Sequence, residues 1–453
     1  MAANTDRLDG PVELGVIFKR LMFNTGLLLS GRAGNAVLGL GYMALAGRGL
    51  GASGLGVLVL IHAFAQLISD VMKFQSWQAV LQYGARPLVE GRQGAFQAAT
   101  RFALALDGLS AAVGLAVGVG GAILFADKLG WGREHATTAG VYMLCILGMV
   151  CTTPVGLMRL FNRFDVLAQQ TVLVSLTRLI GCGAAFLLHG GLAGFLFAWA
   201  AGQFVGLAYL SYRAVGELRK RGLLRGFRWT GAPLTEGMPG AWRFAWNTNI
   251  SSTLDAGLTH VATLTVGALL GPAPAAFWKV GRQIADAIAK PARLLAPALY
   301  PELARLRAAD SETMMLRLAA RVGMLAGGAG LVLLTAAAFA GPWILTVVMG
   351  KEFAPAASVM TWQVAAATVG VLVLPLEPML ISLGRAGAVV CVQLAVCAAF
   401  FGAMQLLIPP FGLTGAGIGL LGAELALGAG LLLVLRPGGH ALRLSLPVRR
   451  QLA

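Results

Sequence analysis

The sequence predicts an all-α integral membrane protein of about twelve transmembrane helices in two six-helix lobes. Three observations carry that expectation. Hydrophobic residues fill 57% of the 453 positions and charged residues only 12%, roughly half the charged share of a soluble domain. Apolar stretches of about 20 residues, each enough to cross a hydrocarbon core about 30 Å thick, recur from Leu21 to Leu435. None of them alternates polar with apolar as a barrel strand does, and backbone in lipid must satisfy its own hydrogen bonds, so the spans are helices.

In chain order, residues 1–20 are polar, carry Asp6, Asp9 and Glu13, and show no small-residue cleavage site, so they are expected to stay as a cytoplasmic segment. The first lobe, 21–215, holds spans at 21–47, 55–75, 99–125, 139–160, 167–188 and 192–212. A basic cytoplasmic connector, 216–243, leads to the second lobe, 244–436, with spans at 244–270, 273–299, 318–348, 356–383, 388–408 and 413–435; residues 437–453 form a basic tail. Arg86, Arg92, Arg159, Arg163, Arg219, Lys220, Arg221 and Arg225 all fall on one side of this layout, while the other keeps only Arg48, Lys128, Arg133 and Lys351. That asymmetry places both termini in the cytoplasm of a bacterial inner membrane. It also accounts for the net charge of +16 without nucleic acid. Cys145, Cys151, Cys182, Cys391 and Cys397 lie inside apolar spans in no metal or redox pattern, as packing residues do.

The two lobes echo one another. LGASGLG from Leu50 and LGPAPAA from Leu270 each join the first and second spans of a lobe, an offset of 220 residues. That offset sets Asn35 opposite Asp255, Gln66 opposite Asp286 and Asp70 opposite Lys290. Gly49, Gly51 and Gly54 also spell GxGxxG, but they follow an apolar helix and no strand, so they read as a tight turn and not as a dinucleotide site. No nucleophile constellation, metal cluster or cofactor motif is present, and none is expected to be used.

Ionisable groups inside a span are costly unless they face a partner or a wet cavity, so their placement is informative. At about 100° per residue, Lys279, Arg282, Asp286, Lys290 and Arg293 share one face of the eighth span, and His62, Gln66, Ser69, Asp70 and Lys73 share one face of the second. The first span groups Thr25, Arg32, Asn35 and Tyr42; the seventh groups Thr248, Ser251, Ser252, Asp255 and Thr259. The plain reading pairs Asp286 with Arg282 or Lys290 and Asp70 with Lys73 within their helices. The alternative is a shared central cavity with surplus cations that want an anion, such as a phosphate-bearing substrate. Glu377, in the PLEP run that must break the tenth helix, and Glu424, deep in the twelfth without an evident partner, join Asp70, Asp255 and Asp286 as candidates for ion coupling. Asp107 and Arg178 are expected near the cytoplasmic ends of their spans, snorkelling to the interface, and His260, opposite Asp255 on its helix, is expected to be a packing histidine.

This layout, with its cationic stripes and the LGASGLG turn, resembles the polysaccharide-transport branch of the multidrug/oligosaccharidyl-lipid/polysaccharide flippase superfamily, whose members include O-antigen flippases. The resemblance implies a V-shaped pair of lobes around a central cavity. It also implies alternating access that carries an undecaprenyl-diphosphate-linked oligosaccharide from the cytoplasmic to the periplasmic leaflet, for lipopolysaccharide or exopolysaccharide synthesis. On that basis Arg32, Lys73, Lys279, Arg282 and Lys290 would hold the diphosphate, and Asn35, Gln66, Asp255 and Thr259 would meet sugar hydroxyls. A proton, a sodium ion or the membrane potential could drive the cycle, in a monomer associated with polymerase or export machinery.

Two other classes compete. A multidrug and toxin extrusion antiporter would want an acidic, aromatic cavity, whereas this one is net basic. A membrane-embedded glycosyltransferase or polymerase would want a sizeable loop with catalytic groups, and the longest connection here is short and basic.

Overall fold

The computed structural model describes residues 14–227, 233–293, 299, 303, 306–307 and 312–435; the side chains of 14–34, 36, 250–259, 288–293 and 312 lie outside that description. The described elements are all helical. In the first part of the chain they are α1 (Leu14–Met72), α2 (Ser76–Val89), α3 (Gln93–Leu124), α4 (Ala136–Tyr142), α5 (Ile146–Val150), α6 (Thr153–Leu160), α7 (Phe164–Leu187) and α8 (Gly191–Lys220). After the connector come α9 (Ala241–Leu270), α10 (Pro272–Arg293), α11 (Glu312–Met349), α12 (Ala356–Val373), α13 (Leu376–Ser382) and α14 (Ala386–Leu435). Eight helical stretches among the described residues are long and apolar enough to cross a membrane.

A straight 59-residue helix would run about 90 Å, three bilayer cores end to end. α1 therefore has to turn back, and it does so at Gly51 (φ 69, ψ −179), a conformation that favours glycine. The 50-residue α14 breaks likewise at Gly412 (φ 57, ψ −140), just after Pro409 and Pro410. The break expected at PLEP separates α12 from α13.

Two features depart from the expected layout. The stretch 139–160 is interrupted at Cys151 (φ −72, ψ 96), so α6 begins separately at Thr153-Pro154. α2 forms where the sequence predicts a connection. Its 14 residues are too short to cross, and they bury Ala79, Val80, Gly84 and Pro87 along one side.

The internal echo has a backbone counterpart. Gly271, 220 residues after Gly51, has φ 90 and ψ −175, so both lobes reverse through the same conformation. Gly132 and Gly350 likewise precede single turns of 3₁₀ helix, Arg133–His135 and Lys351–Phe353. The two reversals pack together. A Cβ added at Gly56 would fall 1.9 Å from the Pro272 carbonyl oxygen, so α1 and α10 meet backbone to backbone. Beside them the Ala52 N–H donates to Glu352 Oε2 at 3.0 Å, and the Arg48 guanidinium donates to the carbonyls of Val347 and Val348.

At the far end of α1, Asn249 of α9 donates from Nδ2 to the carbonyls of Val71 (3.0 Å) and Lys73 (2.7 Å). This satisfies acceptors that a helix C-terminus leaves open. Around it Trp246 stacks edge-on against Phe74, Phe244 against Tyr83 and Trp242 against Phe102, with centroids 5.0, 5.7 and 5.5 Å apart.

Candidate functional site

The arm of α1 after Gly51 and α10 after Gly271 run side by side, and their polar faces meet residues of α7, α8 and α9. His62 is 5% exposed; its Nδ1 lies 2.7 Å from the Tyr142 hydroxyl and its ring stands edge-on to Trp199 at 4.7 Å. Tyr42 approaches the same indole edge-on at 5.5 Å. Arg178 of α7 covers this group, its guanidinium 5.4 Å from the Trp199 centroid and 5.8 Å from that of Tyr42. Lys279 of α10 and His260 of α9 bring further basic groups toward this cluster, with the Asp286 carboxylate near Lys279. The site thus concentrates basic groups from both parts of the chain.

Next to it a cleft of about 270 Å³ opens, lined by Gln66, Ser69, Asp70, Thr152, Gln170 and Gln203 among others. Three amides, two hydroxyls and one carboxylate give it donors and acceptors throughout. Gln66 Oε1 is buried without a hydrogen-bond partner.

The residues expected at the site divide into three groups. Arg32, Asp255, Thr259 and Lys290 have side chains outside the described residues. Lys73, just past the end of α1, and Arg282 each meet a local acid, Lys73 Nζ 3.0 Å from Asp70 Oδ1 and Arg282 Nε 3.4 Å from Asp286 Oδ1, so the pairs of the plain reading are present. Lys279 and Gln66 face the shared interior, and Asn35 is tied to α7 by accepting the Ser175 hydroxyl. Of the ion-coupling candidates, Glu377 is exposed in the first turn of α13, and Glu424 lies against Gly370, where an added Cβ would come within 3.0 Å of its carboxylate.

Three expectations need correction. His260 is not a packing residue: its Nε2 lies 3.2 Å from Asp70 Oδ2, across from α9 to α1. Asp255 lies on the opposite side of the same helix, whereas the partner of His260 comes from another helix. Arg178 does not snorkel; it is 9% exposed and packed against Gly202 of α8. Asp107, 4% exposed, is a buried acceptor for the Ser76 hydroxyl (2.5 Å) and the N–H groups of Thr152 (3.2 Å) and Thr153 (2.9 Å). It ties α3 to the start of α2 and caps α6.

A family model described as polysaccharide biosynthesis protein matches residues 21–307. Inner membrane protein YghQ of Escherichia coli (strain K12) is 32% identical over 336 residues, which cover 74% of this chain and 94% of that one. Among solved structures, a multidrug resistance MATE family transporter of the MOP superfamily, inward-facing, aligns with a TM-score of 0.66 at 15% identity over 91% of this chain and 96% of its own. Lipid II flippase MurJ, in an inward closed conformation, aligns with a TM-score of 0.68 at 10% identity, over 90% of this chain and 86% of its own. At these identities the likeness is one of fold.

Proposed function

The chain belongs to the polysaccharide biosynthesis protein family, and from that premise we propose that it is a flippase moving an undecaprenyl-diphosphate-linked oligosaccharide from the cytoplasmic to the periplasmic leaflet of the bacterial inner membrane. Its product would be a surface or secreted polysaccharide, and no covalent chemistry is required of it. The observation that carries the proposal is the basic interior: Arg178, which has no carboxylate partner among the described residues, and Lys279 lie in helices packed within a membrane fold, where charge is expensive without a counter-charge. A diphosphate supplies that charge, and the amide-rich cleft beside it suits sugar hydroxyls.

Transport would proceed by alternating access, with lobes 21–215 and 244–436 rocking while the polyprenyl tail stays in lipid. In the layout with cytoplasmic termini, the Gly51 and Gly271 reversals close the periplasmic end. Asn249 and the aromatic pairs of Phe74, Tyr83 and Phe102 close the cytoplasmic end. Each set has to separate in turn. Asp70, shared between Lys73 and His260, is the group best placed to link a coupling proton or sodium ion to that motion.

Reconstitution with labelled lipid-diphosphate oligosaccharide, scored by leaflet exposure, tests the proposal. Protein-dependent movement supports it. Transport of a cationic dye with no movement of the lipid-linked sugar would favour the antiporter, and polymer formation in the vesicle would favour an enzyme. In cells, replacing Arg282 and Lys290 together with Ala is expected to abolish polymer export while the protein still inserts.

A further inference from the structure

α11 has one face fixed by the protein and one left to the bilayer. On the inner face a Cβ added at Gly323 would fall 2.6 Å from the Leu372 carbonyl oxygen of α12, and Met315 and Ala319 are buried beside Leu303 and Met379. On the outer face Arg317, Arg321, Met324 and Gly328 are all exposed and fall within an arc of about 60°. Two arginines thus head an apolar strip.

Their depth sets them apart from ordinary surface charge. The Met349 end of α11 lies beside the Gly51 reversal, where Arg48 reaches the carbonyls of Val347 and Val348, so the arginines belong to the opposite membrane face. That face is the cytoplasmic one in the layout with cytoplasmic termini. Trp343, 69% exposed, stands where indoles mark a membrane interface. From Trp343 back to Arg321 the helix rises about 33 Å, against a hydrocarbon core of about 30 Å, which brings Arg321 level with lipid phosphates and Arg317 about one turn beyond. Other arginines of this face meet acids: Arg86 and Arg92 share Glu90, and Arg163 and Arg221 share Glu217. Neither Arg317 nor Arg321 meets a carboxylate among the described residues.

Gly328 adds a second feature, about 10 Å further toward the bilayer centre. A Cβ placed there would meet nothing within 4 Å, so the strip carries a bare notch between the exposed side chains of Leu325, Leu331 and Val332. Guanidinium groups one turn apart can close on a single phosphate, each through its planar fork of donors. An acyl chain hanging from that phosphate would run over the notch. An acidic protein segment could pair with the arginines but could not use a notch at hydrocarbon depth, where backbone must satisfy its own hydrogen bonds.

We propose that Arg317, Arg321 and Gly328 form a surface site for an anionic phospholipid of the surrounding leaflet, its phosphate held by the two arginines and one acyl chain laid over the glycine. The occupant is a resident lipid and not the transported one, because the site faces outward from α11. It stands whether or not the chain is a flippase.

The test is native mass spectrometry of the purified full-length protein titrated with phosphatidylglycerol, with phosphatidylcholine as the zwitterionic probe and polyprenyl diphosphate as competitor. Wild type is compared with Arg317→Gln/Arg321→Gln and with Gly328→Leu, which fills the notch and leaves both arginines. Arg86→Gln/Arg92→Gln, which removes the same charge from the same membrane face, is the control. Phosphatidylglycerol is expected to bind about tenfold more weakly to Arg317→Gln/Arg321→Gln, severalfold more weakly to Gly328→Leu, and as in wild type to the control; phosphatidylcholine binding should not change with the arginines. Equal binding of phosphatidylglycerol to wild type and Arg317→Gln/Arg321→Gln would overturn the site, and so would an equal loss in the control, which would mark a general attraction to the face. Unchanged binding to Gly328→Leu would overturn the acyl contact. A parallel loss of phosphatidylcholine would overturn the phosphate as the group recognised. Displacement of phosphatidylglycerol by polyprenyl diphosphate at equal concentration would overturn the resident lipid in favour of the carried one. A dimer that disappears in Arg317→Gln/Arg321→Gln would overturn it in favour of a second copy of the chain.

Discussion

His260 Nε2 of α9 lies 3.2 Å from Asp70 Oδ2 of α1, and the same carboxylate holds Lys73 through its other oxygen at 3.0 Å. The first contact crosses between the two parts of the chain and the second is local to the end of α1. Opening the interface has to break the former and can keep the latter. Asp70→Asn and His260→Ala should therefore be coupled in a double-mutant cycle by about 0.5–3 kcal/mol, read from thermal or denaturant stability. Strictly additive effects would mean that the pair does no work between the lobes.

Arg282 and Asp286 make a similar test within one helix. Removing Arg282 alone leaves Asp286 partly buried without its neighbour, which costs more than removing both. Arg282→Ala should be less stable than Arg282→Ala/Asp286→Ala, while both should transport poorly if the cation also serves the substrate. Full transport in the double variant would confine Arg282 to a structural role.

Asp107 is the hub of the α2, α3 and α6 junction. Replacing it with Ala leaves the Ser76 hydroxyl only Thr152 Oγ1 as partner and strands two backbone N–H groups, each costing about 1–3 kcal/mol when buried. Asp107→Ala should lower the unfolding midpoint by several degrees, and Asp107→Asn by less, because one carboxamide oxygen still accepts. Equal stability of all three proteins would show that water replaces the carboxylate there.

At Gly56 an added methyl meets the Pro272 carbonyl, and backbone cannot step aside as a flexible side chain can. Gly56→Ala should cost roughly 1–3 kcal/mol and slow transport. Gly94→Ala, where an added Cβ meets nothing within 4 Å, serves as the control and should match wild type. Similar behaviour of the two variants would argue against a close backbone crossing.

Much of this architecture was legible because helices in lipid leave simple traces. Hydropathy marked the spans, Gly51 and the PLEP prolines marked where helices must turn, and the 3.6-residue period put Lys279, Arg282 and Asp286 on one face. What escaped depends on neighbours from other helices. His260 looked inert beside Asp255 because Asp70 sits some 190 positions earlier in the chain. Arg178 looked like a terminal cation because nothing local announces the Gly202 slot or the Trp199 ring. α2 was hidden by Arg86 and Pro87, which read as loop until a surface to lie on is supplied.

The crossing of Gly56 and Pro272 also sets a scale for movement. Two bare backbones in contact form an axle with no side chain to compress, so α1 and α10 can scissor about it without losing touch. From there to Met72 the helix spans about 24 Å, so a swing of about 10° would carry that tip about 4 Å. Leverage of this kind lets a barely perceptible roll at one face of the membrane draw the Asn249 clasp apart at the other.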